Sequence, residues 1–266
     1  MTYIRTSRDG DDDRIAEVVL DRPDKLNALS GPMLDELSAT LDKLGRDPSV
    51  SCILLRGEGR SFSVGYDVGS GGPHETAYDD WESLNEKIDH WIRVWECPKP
   101  VISAIHGHCM GGATMLAVCT DITIVADDAV IGWPTIPLGG GLLSPVSMWL
   151  IGPKRSKELS YTAGSSMDGA EAASLGWANR AVPAGAVLPE ARRVAAEIAK
   201  MPTELLTLKK RALNRVMDLQ GFREMLRMGA EWDAIAHTSA QLEPITDKLA
   251  EVGLKGTVSW FRAGAR

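Results

Sequence analysis

Three stretches of this chain crowd glycine into places where a strand would hand over to a helix. They are Gly59 to Asp67 (GRSFSVGYD), His106 to Met115 (HGHCMGGATM) and Ile131 to Gly141 (IGWPTIPLGGG). In open α/β sheets ligands bind beyond the carboxyl ends of the strands, where such junctions sit. Gly111-Gly112 at a helix start would leave bare backbone N–H groups facing outward with the helix dipole behind them. That arrangement suits an anion or a developing oxyanion. Read from the residues alone, the site is a small-anion or phosphate pocket. The chain contains no GxxxxGK[ST] loop, and no GxGxxG opens a helix after a strand. Gly139-Gly140-Gly141 is a weak match to any phosphate loop, and a GxSxG nucleophile elbow is absent. His106 and His108 are two residues apart, but no carboxylate stands at a useful spacing, so a structural histidine pair is expected and no metal.

The elements that must position these junctions are legible in the periodicity. Residues 15–20 (IAEVVL), 51–56 (SCILLR), 101–105 (VISAI) and 122–126 (ITIVA) read as strands rich in β-branched residues. Between the first two, Ser30-Gly31-Pro32 marks a helix start, and Met33, Leu34, Leu37, Leu41 and Leu44 follow at helical spacing. Strands alternating with helices indicate α/β architecture built from crossover units. After about residue 185 the strand signals stop, and amphipathic helices are predicted around 186–200, 203–217 and 221–237. Leu205, Leu208, Ala212, Leu213 and Val216 form one apolar stripe, and the tail adds Leu249, Val252, Trp260 and Phe261. Such a tail packs on its own core or on another subunit, so oligomerisation is expected.

Composition removes several functional classes. The 266 residues carry 29 Lys+Arg against 36 Asp+Glu, a formal charge of −7, and the basic residues are scattered. This gives no electrostatic footprint for nucleic acid or an anionic membrane. No run of about 18 apolar residues could span a bilayer. The first residues (MTYIRTSRDGDDDR) are polar and acidic, unlike a signal or transit peptide. Cys52, Cys97, Cys109 and Cys119 are far apart and show no metal-ligand spacing, as expected for reduced, mostly buried thiols of a cytoplasmic protein.

Five ordered motifs together resemble the crotonase (enoyl-CoA hydratase/isomerase) superfamily over nearly the whole chain. They are 21–29 (DRPDKLNAL), 61–67 (SFSVGYD), 99–107 (KPVISAIHG) followed by Gly111-Gly112, 121–127 (DITIVAD), and GPKR from 152 with AASLGWANRAV from 172. The resemblance implies a spiral of ββα units with an acyl-CoA site over residues 1–200. A C-terminal helical oligomerisation region over 201–266 would assemble a trimer or a dimer of trimers. It implies a CoA-thioester substrate, with coenzyme A present as part of the substrate and no permanently bound cofactor. The thioester carbonyl would be polarised by the backbone N–H groups of Tyr66 and Gly112. Contacts to the adenine and pantetheine would come from backbone around Lys25, Leu26 and Ala28, and from Ser63 and Gly65.

The sequence departs from the family where proton transfer should occur. Hydratases use two glutamates to hold and activate water, and the matching positions here are Met115 and Thr135. Methionine cannot transfer a proton, and a threonine hydroxyl is a poor base near neutral pH. The segment after Gly139 is shorter than in hydratases, and a third carboxylate used by some relatives would fall near Gly141. Ordinary hydration is therefore disfavoured. Thioester hydrolysis, decarboxylation and C–C cleavage, which need mainly the oxyanion hole, fit better. Two alternatives stay open: a hydratase/isomerase with a displaced acid/base, and a silent acyl-CoA-binding protein. Candidates to take over proton transfer are Asp67 and His108, each weighed against a structural role. His74, Glu75, Asp79, Asp80 and Glu82 read as a solvated acidic loop over the acyl chain. Trp133, Pro134, Leu138 and Trp149 are expected to wall an apolar acyl pocket.

Overall fold

The computed structural model describes residues 2–8, 12–67, 76–133, 147–162 and 164–264. Apolar, β-branched segments form a six-stranded sheet. Its members are β1 (Ile4–Arg8), β2 (Ile15–Leu20), β3 (Cys52–Gly57), β4 (Val101–Ile105), β6 (Ile122–Ala126) and β9 (Arg180–Val182), hydrogen-bonded in that order. The first pair is antiparallel and the rest are parallel. All six residues of β2 are buried, as in a strand covered on both faces. A second sheet joins β5 (His108–Met110), β7 (Val130–Gly132) and β8 (Ser166–Met167). The chain leaves β4 and enters β5 two residues later, and it passes from β6 to β7 in the same way. These two turns of the spiral thus each supply one strand to each sheet.

Helices close the turns: α1 (Gly31–Arg46), α2 (Ala77–Glu96), α3 (Gly112–Val118), α4 (Ser147–Tyr161) and α5 (Gly169–Leu175). Helix α1 buries Met33, Leu34, Leu37, Leu41 and Leu44, the positions its spacing singles out. Each such side chain taken fully from water contributes about 1.5–3 kcal/mol. Helix α6 (Val187–Ala199) lies against β2, β3, β4 and β6. It is clamped by Glu17 of β2, which accepts from Arg56 Nε at 2.6 Å and Arg192 Nη2 at 2.9 Å.

The C-terminal helices are α7 (Thr203–Leu219), α8 (Phe222–His237) and α9 (Glu243–Arg262, broken at Gly253). Helix α8 packs along α2. Helix α7 is tied down by polar groups: the buried Lys210 gives Nζ to Asp121 Oδ2 at 2.7 Å and to the Lys99 carbonyl at 3.2 Å. Burial pushes the Asp121 carboxyl above its ordinary range, against the pull of that ammonium. The stripe on α7 behaves differently from a core stripe. Leu205, Leu208, Leu213 and Val216 are all exposed in the single chain, as are Trp232 and Ile235 on α8.

Two expectations change. Residues 79, 80 and 82 belong to the first turns of α2 and not to a loop; Thr76 and Asp79 close a reciprocal capping box at its start. The stretch around His108 is a short strand, paired on β7, where a turn leading into a helix was expected.

Candidate active site

Two of the glycine-rich junctions meet at one place. The ribbon 63–67 is held on one side by residues 26–29. Leu29 N–H donates to Gly65 O at 2.8 Å, and Asp67 N–H to Leu29 O at 3.0 Å. On its other side it is held by β5, through Ser63 N–H to His108 O at 3.0 Å and Met110 N–H to Ser63 O at 3.1 Å. Alternation along this ribbon turns the N–H of Tyr66 away from Leu29. Gly112 begins α3, so its N–H has no intrahelical partner. Among the described residues, neither of these two N–H groups donates to a protein acceptor.

The two backbones touch closely. A methyl group placed on Gly65 would lie 2.5 Å from Met110 O and 3.1 Å from Gly112 N. One placed on Gly112 would lie 2.7–2.9 Å from the Tyr66 ring. Gly111, the residue that turns β5 into α3, has φ 51° and ψ −122°, a conformation open in practice only to glycine. Two adjacent unpaired donors, one at a helix N-terminus, can together hold a carbonyl oxygen that is gaining negative charge.

The Tyr66 side chain is committed elsewhere. Its hydroxyl accepts a hydrogen bond from Trp91 Nε1 of α2 at 2.9 Å, and burial pushes its ionisation well above the ordinary phenol range. Lys87, one turn before Trp91, places Nζ 5.5 Å from the Tyr66 ring centroid.

Residues 25–28 are shaped by a buried asparagine. Leu26 and Asn27 both have positive φ (51° and 55°). Asn27 stabilises that shape by accepting from Arg22 N–H at 2.9 Å and donating to Glu58 O and Ser61 O at 2.9 and 2.8 Å. Lys25 is exposed, Leu26 is half-buried and Ala28 is buried. Ser63 is fully buried; its hydroxyl donates to Asn27 O at 2.7 Å and accepts from Gly65 N–H at 3.2 Å. In this geometry Ser63 and Gly65 position the neighbouring backbone, with their own N–H groups already bonded.

The proton-transfer candidates are scattered. Met115 is buried in the apolar core on α3. Asp67 pairs with Arg22, Oδ2 to Nη1 at 2.6 Å. His108 is exposed, with Nδ1 3.2 Å from Ser61 Oγ, and His106 Nε2 is 2.8 Å from Gly59 O. Asp80 is buried against His237, Oδ2 to Nδ1 at 2.5 Å, and Glu82 accepts from Tyr78. All four cysteines are free and buried; burial pushes the thiols of Cys52 and Cys119 up to about 12 and that of Cys109 higher still, which removes them as nucleophiles. Among the described residues no three His, Cys, Asp or Glu side chains gather as a metal site.

Trp133 is buried at the end of β7, whereas Trp149 is partly exposed with its ring centroid 6.2 Å from that of Phe222. Pro134, Thr135, Leu138 and the Gly139–Gly141 run lie outside the described residues, as do His74 and Glu75. Asn27, Lys87 and Trp91 were not singled out in the sequence. A signal for the last two exists: Leu84, Ile88, Trp91, Ile92 and Trp95 recur at helical spacing, and Lys87 falls inside that stripe.

Comparison with known proteins shows the family. The sequence profile of a family described as enoyl-CoA hydratase/isomerase matches residues 10–241. A Novosphingobium aromaticivorans protein whose crystal structure carries that same description superposes with a TM-score of 0.92 at 36% identity, covering 97% of this chain and 94% of its own. An enoyl-CoA hydratase/isomerase from Xanthobacter autotrophicus superposes with a TM-score of 0.89 at 30% identity, covering 97% of each chain. A crotonyl-CoA hydratase of Syntrophomonas wolfei is 31% identical over 222 residues, 80% of this chain and 83% of its own. The chain belongs to the enoyl-CoA hydratase/isomerase family of the crotonase superfamily, enzymes acting on acyl-CoA thioesters.

Proposed function

We propose that this protein processes an acyl-CoA thioester by holding its carbonyl oxygen between the N–H groups of Tyr66 and Gly112, and that its reaction is not ordinary hydration. The observation carrying this reading is the pair of unpaired donors on two touching backbones, beside a helix face that offers Met115 where a hydratase has a carboxylate. The donors stabilise an enolate or a tetrahedral oxyanion; one such donor typically lowers a barrier by about 3 kcal/mol. Hydrolysis, decarboxylation and C–C cleavage draw mainly on that stabilisation. Coenzyme A enters as part of the substrate, with no resident cofactor. The exposed apolar residues of α7 and α8 support assembly into a trimer or a dimer of trimers through residues 201–266, with the core in 1–200. Among the described residues no helix is long and apolar enough to cross a membrane, which fits the cytoplasmic placement proposed here.

The test follows crotonyl-CoA by loss of enoyl absorbance and, in parallel, by release of free thiol. Thiol release without hydration supports the reading. Hydration at about 1–1000 per second would instead mean that another residue does the glutamates' work. Whatever turnover is found, Gly112→Pro removes one donor N–H and crowds the Tyr66 ring, and is expected to abolish it. Turnover that survives this change overturns the mechanism, and thioester binding without turnover for any acyl group marks a binding protein.

A further inference from the structure

Helix α2 turns one face inward along Asp80, Leu84, Lys87 and Trp91, with Leu84 and Trp91 buried. Three of these four are accounted for within the protein. Asp80 pairs with His237, Leu84 joins the core, and Trp91 donates to the Tyr66 hydroxyl. Lys87 is the exception. It is half-buried on the same face; among the described residues its one hydrogen bond is from Nζ to Ser83 Oγ at 3.3 Å, and it makes no ion pair. Its ammonium lies 5.5 Å from the centroid of the Tyr66 ring, and that ring packs directly on Gly112. The loss of water around the ammonium lowers its affinity for a proton, with the charges of Asp80 and Glu86 opposing this in part. A half-buried cation that makes no ion pair carries a desolvation cost that is only partly met, and an anion brought to it would offset the rest.

We infer that Lys87 is a specificity residue for the acyl group, selecting thioesters whose acyl chain carries a carboxylate at its far end. The inference rests on the thioester reading above. Gly112 and Lys87 both lie against the same Tyr66 ring, which keeps the donor and the ammonium within the reach of a short dicarboxylic acyl chain. A charged hydrogen bond of this kind contributes about 1.5–3 kcal/mol, so the preference over a neutral chain is about tenfold or more.

The experiment measures dissociation constants of the full-length protein for malonyl-, succinyl- and glutaryl-CoA. Each is compared with the neutral thioester of equal chain length: propionyl-, butyryl- and valeryl-CoA. In at least one pair the carboxylated member is expected to bind about tenfold tighter. That ratio collapses in Lys87→Met and returns in Lys87→Arg, which keeps the charge; thermal melting of both variants verifies the fold. Equal affinities in all pairs overturn the inference, as does a preference that persists in Lys87→Met. Binding of the neutral thioesters in those cases leaves the thioester reading standing, whereas failure of every thioester to bind overturns both.

Discussion

Gly112 and Met115 stand one turn apart on α3, and they represent two kinds of chemistry. At Gly112 the functional group is the backbone N–H, and the fold itself supplies it: a helix must begin there, and the ribbon carrying Tyr66 is bonded into place on both sides. At Met115 the family's function would come from a side chain, and here that side chain is a thioether sunk in the apolar core. Backbone donors survive any substitution other than proline that preserves the turn. Side-chain acids do not. A family member can therefore keep the means of polarising a carbonyl while losing the means of moving a proton, which is the pattern we propose for this chain.

The largest effect expected from breaking this contrast comes from Gly111→Ala. A methyl group there meets nothing within 4 Å, so any loss arises from the backbone conformation at φ 51° and not from crowding. Forcing another residue into that region costs of order 1–3 kcal/mol, and the turn relaxes by swinging the Gly112 N–H off its aim. We expect kcat to fall about 10²- to 10³-fold, with a modest drop in melting temperature. A variant that keeps native turnover would show that the aim of this N–H does not matter.

Tyr66→Phe sharpens the contrast from the other side, because it leaves the backbone donor in place. The hydroxyl lost is the acceptor for Trp91 Nε1, and Trp91 is fully buried, so its N–H is left unsatisfied at a cost of about 1–3 kcal/mol. Denaturant melts should show that loss, while kcat falls only a few-fold. A fall comparable to that of Gly111→Ala would mean that the phenol, and not the N–H beside it, takes part in the reaction.

Much of this was legible in the sequence because it depends on local pattern. The strands at 15–20, 101–105 and 122–126 lie where their β-branched runs predict, α1 begins where Ser30-Gly31-Pro32 marks it, and β3 is shifted by one residue. The glycines at 65, 111 and 112 mark the junctions in the sequence, and the structure gives two reasons for them: nothing larger fits at Gly65 and Gly112, whereas Gly111 has open space and is needed for its positive φ. The strands β5, β7 and β8 were missed: two or three residues make no period, and they exist only because the spiral brings them side by side. Helix α2 is not among the predicted elements; at its start Asp79, Asp80 and Glu82 look like a solvated loop, when two of them serve the helix by capping it and by bonding to His237. The α7 stripe shows the opposite failure: its period is helical, but period alone does not say whether the apolar face meets this core or another chain.

The smallest effect, and the most exacting test of the contrast, is expected from Asp67→Asn. Asp67 follows the donor Tyr66 in the chain and is the nearest carboxylate in sequence to the proposed site, so a displaced acid/base would be sought here first. Its geometry is that of a strut. Both it and Arg22 are 19% exposed, the pair is 2.6 Å apart, and Arg22 also donates to Ala28 O, which ties the 22–28 turn to the donor ribbon. Asparagine keeps the shape and can still accept from Arg22, so the loss should be about 1 kcal/mol or less in a urea melt. Turnover should fall by less than about tenfold, because only a small shift of the ribbon can reach the Tyr66 N–H. A melt close to native together with a loss of about 10²-fold or more in turnover would assign the proton to Asp67, since general acid–base catalysis is worth that much. That result would return the side-chain half of the chemistry to the ribbon that carries the backbone half.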